Sequence, residues 1–127
     1  MSYFLFYGSL RPGMYNYERF FNKNNHEVVL DNVRIKGYKL YDLGAYPAIK
    51  SSDLNDSVEC TLIRIDDTQT IRIIHAMEIG AGYKANGCKL ETDAGIIHAN
   101  IYEYIDSIPE KLLIKSGDWV KHNEKVI

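Results

Sequence analysis

The sequence predicts an α+β fold, a small mixed β-barrel with two main flanking helices, and three observations carry that prediction. Most of the chain reads as short apolar or alternating strands, and only two stretches show helical spacing. The segment Val58 to Ile65 is apolar on both faces in its later half, as in a sheet covered on one side and curled on the other. The 127 residues are expected to form a single domain, residues 1–127, large enough to bury roughly two thirds of its unfolded surface.

The first strand is the apolar run Tyr3 to Tyr7, which has no polar break and so suits burial on both faces. It stops in the loop Gly8-Ser9-Leu10-Arg11-Pro12-Gly13, where two glycines bracket a turn. Met14, Tyr17, Phe20 and Phe21 follow at helical spacing, giving strand, loop, helix. Backbone N–H groups converging near a helix N-terminus suit an anion. The same residues also fit a plain tight connection, and spacing does not separate the two. The loop lacks the dinucleotide glycine fingerprint and the Gly-Lys-Ser/Thr ending of triphosphate loops, so a small carboxylate fits better than a phosphate chain.

Val28 to Ile35 alternates loosely and Gly37 to Gly44 cleanly, predicting two short strands. Pro47 biases Tyr46 out of the helical region, so Ala45 to Ile49 returns as extended chain before the polar loop Ser51 to Ser57. After Val58 to Ile65, Asp66 and Asp67 are positioned to cap a helix that Gly80 and Gly82 end. Ile71, Ile74, His75 and Glu78 share one face of it. A glutamate at the end of an apolar stripe is informative because carboxylates are seldom buried without a function, although at a helix end it can also turn out to water. Tyr83 to Thr92, the turn Thr92-Asp93-Ala94-Gly95 and Ile96 to Ile105 read as an antiparallel hairpin. Pro109 then breaks the chain and Trp119 serves as a packing lid.

Composition narrows the function classes. A formal charge of −2 and a pI near 6.1 give no footprint for nucleic acid or an anionic membrane. Lys111, Lys115, Lys121 and Lys125 alternate with Glu110, Asp118 and Glu124 and read as a solvated face. Cys60 and Cys88 fit no metal-ligand spacing and sit in strand-like segments as small buried hydrophobes, so no metal site is expected. No signal peptide and no apolar segment of membrane length is present, which makes a cytoplasmic setting the expectation. The sequence specifies no oligomeric state.

Four segments together resemble a known family: Phe6 to Gly13, Tyr38 to Gly44, Tyr46-Pro47-Ala48, and Glu78 shortly before Gly80 and Tyr83. In this order they resemble the γ-glutamylcyclotransferase-like (AIG2-like) family, and Leu112 to Trp119 looks like its small bacterial YtfP branch. The resemblance implies a γ-glutamylcyclotransferase-like fold with a pocket lined by the Tyr-Gly-Ser-Leu loop. It implies that backbone N–H groups of Gly8, Ser9 and Leu10 hold a small γ-glutamyl substrate, that Glu78 is the general acid/base, and that no cofactor takes part. Tyr7 and Tyr83 are the implied pocket walls. The implied reaction is intramolecular aminolysis, in which the free α-amine attacks the γ-carbonyl, releases an amine or amino acid and leaves 5-oxoproline. A non-catalytic protein that binds or sequesters a small metabolite in the same pocket is the alternative.

The family's Leu-Asp-x-x-Glu-Gly signature is here Ile74-His75-Ala76-Met77-Glu78-Ile79. A β-branched residue in place of that glycine excludes a left-handed backbone and is expected to narrow the approach to Glu78, with Gly80 taking over the bend. Cys60, where the family often has Gly, is expected to tighten the pocket.

Overall fold

The structure, a computed structural model, describes residues 2–21 and 24–124. In chain order its elements are β1 (Ser2–Phe6), α1 (Tyr17–Phe20), β2 (His26–Lys36), β3 (Tyr38–Asp42), β4 (Pro47–Ser51) and β5 (Ser57–Ile65), followed by α2 (Thr68–Gly80), β6 (Tyr83–Thr92), β7 (Gly95–Tyr104), β8 (Leu113–Ile114) and α3 (Trp119–Asn123).

Strand β1 lies at the centre of a five-stranded sheet ordered β2-β5-β1-β7-β6, antiparallel to β5 and parallel to β7. Its residues alternate between two apolar clusters. Leu5 and Tyr7 enter one with Leu40, Ile49, Val58, Leu62, Ile101 and Trp119. Phe4 and Phe6 enter the other with Ile63, Ile65, Ile74, Tyr83 and Tyr102, beneath α2. The unbroken apolar run is therefore the strand that both halves of the core share. The predicted hairpin is present with Thr92 opposite Gly95, and Trp119 is buried.

The strands do not close into one hydrogen-bonded barrel. Strands β4, β3 and β8 form a separate sheet in that order, and side chains bridge the seam where a ladder would have run. The Glu103 carboxylate of β7 accepts hydrogen bonds from the Ser51 backbone N–H of β4 at 2.7 Å and from Asn86 Nδ2 at 2.5 Å, while Lys50 Nζ donates to the Tyr104 carbonyl at 2.7 Å. Register irregularities in β2 between Val28 and Leu30 and between Leu30 and Val33 bend the opposite edge.

The first helix is shorter than the spacing predicts. It is one turn, Tyr17–Phe20, because residues 8–16 form successive turns closed by Arg11 N–H to the Gly8 carbonyl at 3.0 Å and Asn16 N–H to the Ser9 carbonyl at 3.1 Å. The loop thus has no helix N-terminus behind it. By contrast α2 matches expectation, with Asp67 accepting from the Thr70 N–H at 2.9 Å as its N-cap. Its left-handed stop is Gly82 (φ 100°) rather than Gly80, whose φ is not positive. A side chain at Gly82 would crowd the Tyr104 ring. Lys111, Lys115 and Lys121 are exposed, whereas Lys125 lies outside the described residues.

Glu103→Ala removes the acceptor that joins the two sheets and leaves the Ser51 N–H unpaired. Urea unfolding at neutral pH is expected to show a loss of about 3 kcal/mol. Burial pushes the Glu103 carboxyl up, but the Ser51 and Asn86 hydrogen bonds and the Lys50 charge outweigh it and hold it below 4.5. The stability it contributes is therefore present above its unfolded pKa and is lost as pH falls through the folded one, so the gap between variant and wild type shrinks in acid.

Candidate active site

A pocket of about 230 Å³ opens where the end of β1 meets β4 and the C-terminal end of α2. Each element reaches it for a separate reason. The β1 loop approaches because Gly8 has no side chain, since a Cβ there would lie 2.8 Å from Pro47 Cγ. Pro47 is in turn fixed by Tyr83 of β6, whose hydroxyl donates to the Pro47 carbonyl at 2.6 Å. Tyr7 donates to the Tyr102 carbonyl of β7 at 2.6 Å. Helix α2 is seated by Ile74, which is fully buried, and this carries Glu78 one turn later onto the pocket wall.

All six residues singled out from the sequence, Tyr7, Gly8, Ser9, Leu10, Glu78 and Tyr83, line this one pocket. The turn takes the Gly8 and Ser9 carbonyls as acceptors. Among the described residues, no protein acceptor takes the N–H groups of Gly8, Ser9 and Leu10. Arg11, the loop's cation, is turned away into the core, donating to Thr61 Oγ1 at 3.1 Å and Asn32 Oδ1 at 2.7 Å and pairing with Asp118 at 3.4 Å. It clamps the loop onto β5, and among the described residues no cation lines the pocket.

Glu78 is the only charged side chain among the described residues that line the pocket. Among the described residues it has no hydrogen-bond or ion-pair partner, and burial pushes its carboxyl from 4.5 up to about 7. Its place in the last turn of α2, facing the negative end of the helix dipole, disfavours the anion further. The surrounding phenols stay neutral. Burial raises Tyr102 to about 12, with the nearby Glu78 charge adding to the shift. Burial likewise raises Tyr7 and Tyr83 far above the ordinary phenol value. Tyr7 and Tyr83 already donate their protons to backbone carbonyls, so they present rings and oxygen lone pairs, not donors.

The substitutions in the signature around Glu78 fall elsewhere than expected. Ile79 is 48 % exposed and does not line the pocket, so it does not narrow the approach to Glu78. Its position is helical, where a left-handed residue has no use. His75 lies on the exposed side of α2, its Nδ1 at 3.1 Å from the Tyr102 hydroxyl. Cys60 is fully buried in the core and does not line the pocket, so it does not tighten it. The sequence reading missed Asn16, Tyr46, Pro47 and Tyr102, all of which line the pocket. The Tyr46-Pro47 pair was legible as extended chain, but nothing local marks where it docks.

Residues 4–121 match the family model described as gamma-glutamyl cyclotransferase, AIG2-like. The chain belongs to the AIG2-like gamma-glutamyl cyclotransferase family. Among solved structures, this AIG2-like chain is similar to the uncharacterized protein PH0828 from Pyrococcus horikoshii, at 24% identity over 97% of this chain and 93% of that one, with a TM-score of 0.74. It is similar to ytfP from Escherichia coli at 26% identity, covering 96% and 99% of the two chains with a TM-score of 0.65. An AIG2-like protein from Mus musculus shares the fold at 15% identity, covering 94% and 88%, with a TM-score of 0.73. No curated protein matches the chain at a significant level. No helix among the described residues is long and apolar enough to cross a membrane, and no group of three or more His, Cys, Asp or Glu among them is placed to hold a metal ion.

Two outcomes test this arrangement. Gly8→Ala forces the loop off Pro47 and is expected to lower stability by about 1–3 kcal/mol in urea titrations, with the loss relieved when Pro47→Ala is added. Glu78→Gln is expected to stabilise the fold at alkaline pH. The folded pKa of Glu78 exceeds its unfolded one, so folding disfavours ionisation and the penalty grows as pH rises from 4.5 to about 7. At 1.36 kcal/mol per pKa unit the gain reaches at most about 3 kcal/mol above pH 8 and vanishes below pH 4.

Proposed function

We propose that the protein is a cyclotransferase that forms 5-oxoproline from a small γ-glutamyl amine or γ-glutamyl peptide by intramolecular aminolysis, with Glu78 as general acid/base. The observation that carries this reading is a lone half-buried carboxyl near pKa 7 in the same pocket as three unpartnered backbone N–H groups. Family membership supports it.

The α-carboxylate of the substrate rests on the N–H groups of Gly8, Ser9 and Leu10, the donors left free where no cation lines the pocket. An α-amine with a pKa of about 8 is mostly protonated at neutral pH and cannot attack. The ammonium gives one proton to solvent and binds as the free amine, and Glu78, about half ionised at neutral pH, takes the second proton, which the nitrogen loses as it attacks. The nitrogen lone pair then forms a bond to the γ-carbonyl carbon, and the π electrons move onto oxygen. As the tetrahedral centre collapses, the bond to the departing nitrogen breaks and Glu78 returns its proton to that nitrogen. Free amine and 5-oxoproline leave, with Glu78 again a carboxylate. The apolar walls contribute by holding the substrate curled, so that a ring-closing geometry is already formed at binding. A pKa near 7 suits both halves of this exchange, since the group must accept a proton and give it back.

The pocket mouth bears on the leaving group. Tyr15 is 75 % exposed and Tyr46 42 % exposed at the rim, and among the described residues no Lys, Arg or His lines the site. A departing amino acid would bring a carboxylate with no cation to meet it. An alkyl or aryl amine matches the aromatic rim, so γ-glutamyl amines are preferred to γ-glutamyl peptides.

Purified protein incubated with γ-glutamyl amines and dipeptides is expected to release 5-oxoproline, faster from the amines. The rate should rise with pH through about 7 as Glu78 ionises. Glu78→Gln is expected to lower kcat by about 10³-fold with an unchanged circular dichroism spectrum. Saturable binding without product, insensitive to Glu78→Gln, would instead identify a metabolite-binding protein.

A further inference from the structure

Asn16 was not singled out by any motif, yet it lines the pocket and is 94 % buried, with only 6 % of its surface exposed. Its Nδ2 donates to Ser9 Oγ at 2.9 Å and its backbone N–H to the Ser9 carbonyl at 3.1 Å. Among the described residues its Oδ1 has no partner. Among the described side chains only one other buried polar atom shares that condition, Arg64 Nε, and Arg64 does not line the pocket. An orphaned buried acceptor is costly, and a bound donor removes that cost.

We propose that Asn16 takes the free α-amino group of the substrate, its Oδ1 accepting one of the amine's N–H bonds. This rests on the γ-glutamyl reading above. A γ-glutamyl head carries a carboxylate and an amine on one carbon, an acceptor group and a donor group side by side. The loop presents the complementary pair side by side: free N–H groups at Gly8 to Leu10, and an unpaired acceptor on the side chain tied to Ser9. The acceptor is neutral, and that matters for the chemistry. An amide carbonyl orients the amine without fixing its positive charge, whereas a carboxylate in the same place would favour the ammonium and keep the lone pair from attacking.

The test is a titration with a ligand that cannot react: the N-butyl sulfonamide of homocysteic acid, whose sulfonyl group replaces the γ-carbonyl, and its counterpart lacking the α-amine. The wild-type protein is expected to bind the amine-bearing ligand about tenfold more tightly. Asn16→Ala is expected to erase that ratio. Asn16→Asp, which keeps the side chain's shape and its link to Ser9, is expected to widen it while lowering kcat on a γ-glutamyl amine. A ratio unchanged in both variants, or a wild-type protein that does not distinguish the two ligands, overturns the assignment, as does equal weakening of both by Asn16→Asp. An intact, Asn16-dependent ratio with no 5-oxoproline formed from any γ-glutamyl compound overturns the cyclotransferase reading and leaves the amine contact standing. Failure of the wild-type protein to bind either ligand overturns both.

Discussion

Pro47 is the point on which the pocket hangs. Its ring lies where a Gly8 side chain would be, and its carbonyl receives the Tyr83 hydroxyl at 2.6 Å. Three elements distant in sequence, the end of β1, the start of β4 and the start of β6, are thus pinned at one place. Strands β4 and β7 share no backbone ladder, so the contact matters more than it would inside a continuous sheet. The loop and the helix bearing Glu78 already share one core cluster through Leu10 and Ile74, and the Pro47 contact docks the start of β4 beside them. Its geometry also explains the residue types: proline supplies a rigid ring and an N-terminal strand position that needs no N–H, and glycine supplies the space.

Two buried or half-buried carboxylates show how the same fold treats the same group in opposite ways. Glu103 accepts from Ser51 and Asn86 near the Lys50 charge, and so stays ionised in spite of burial. It closes the seam between the sheets and has no capacity left for chemistry. Glu78 has no such partners and stands at the helix end where an anion is least welcome, so burial acts on it unopposed. A carboxylate whose hydrogen bonds are all satisfied is structural; one left unsatisfied beside a cavity is available to a substrate. That difference in surroundings, rather than burial alone, sets Glu78 apart.

The sequence made legible whatever depends on local pattern. The run Tyr3 to Tyr7 announced a strand buried on both faces, and both core clusters do share it. Asp67, Ile74 and Glu78 announced a capped helix with a carboxyl at the end of its apolar stripe. The length of the first helix was not legible, because the Arg11 and Asn16 turns use the residues that its periodicity would have claimed. Glu103 and Asn16 were invisible for a different reason. Each is an ordinary polar residue in the chain, and its role arises from partners brought near by the fold, Ser51 at a separation of 52 residues in one case and a pocket assembled from five elements in the other. The open seam was likewise hidden, since alternation records which face a strand buries and not where its ladder ends.

The altered signature around Glu78 then has a physical reading. A residue next to a helical glutamate in sequence points about 100° away from it, so Ile79 faces solvent and the pocket does not register its bulk. His75 is one turn before Glu78 and therefore on the neighbouring strip of helix surface, where it meets the Tyr102 hydroxyl at the edge of the site. Neither substitution alters what makes Glu78 unusual, namely its seat above Ile74, its lack of partners and its burial. What His75 supplies is a ring on the outer side of Tyr102, a wall residue whose hydroxyl lies 3.1 Å from its Nδ1. An imidazole there places no second carboxylate beside Glu78. The carboxyl is accordingly poised by its own burial, without a second acid beside it.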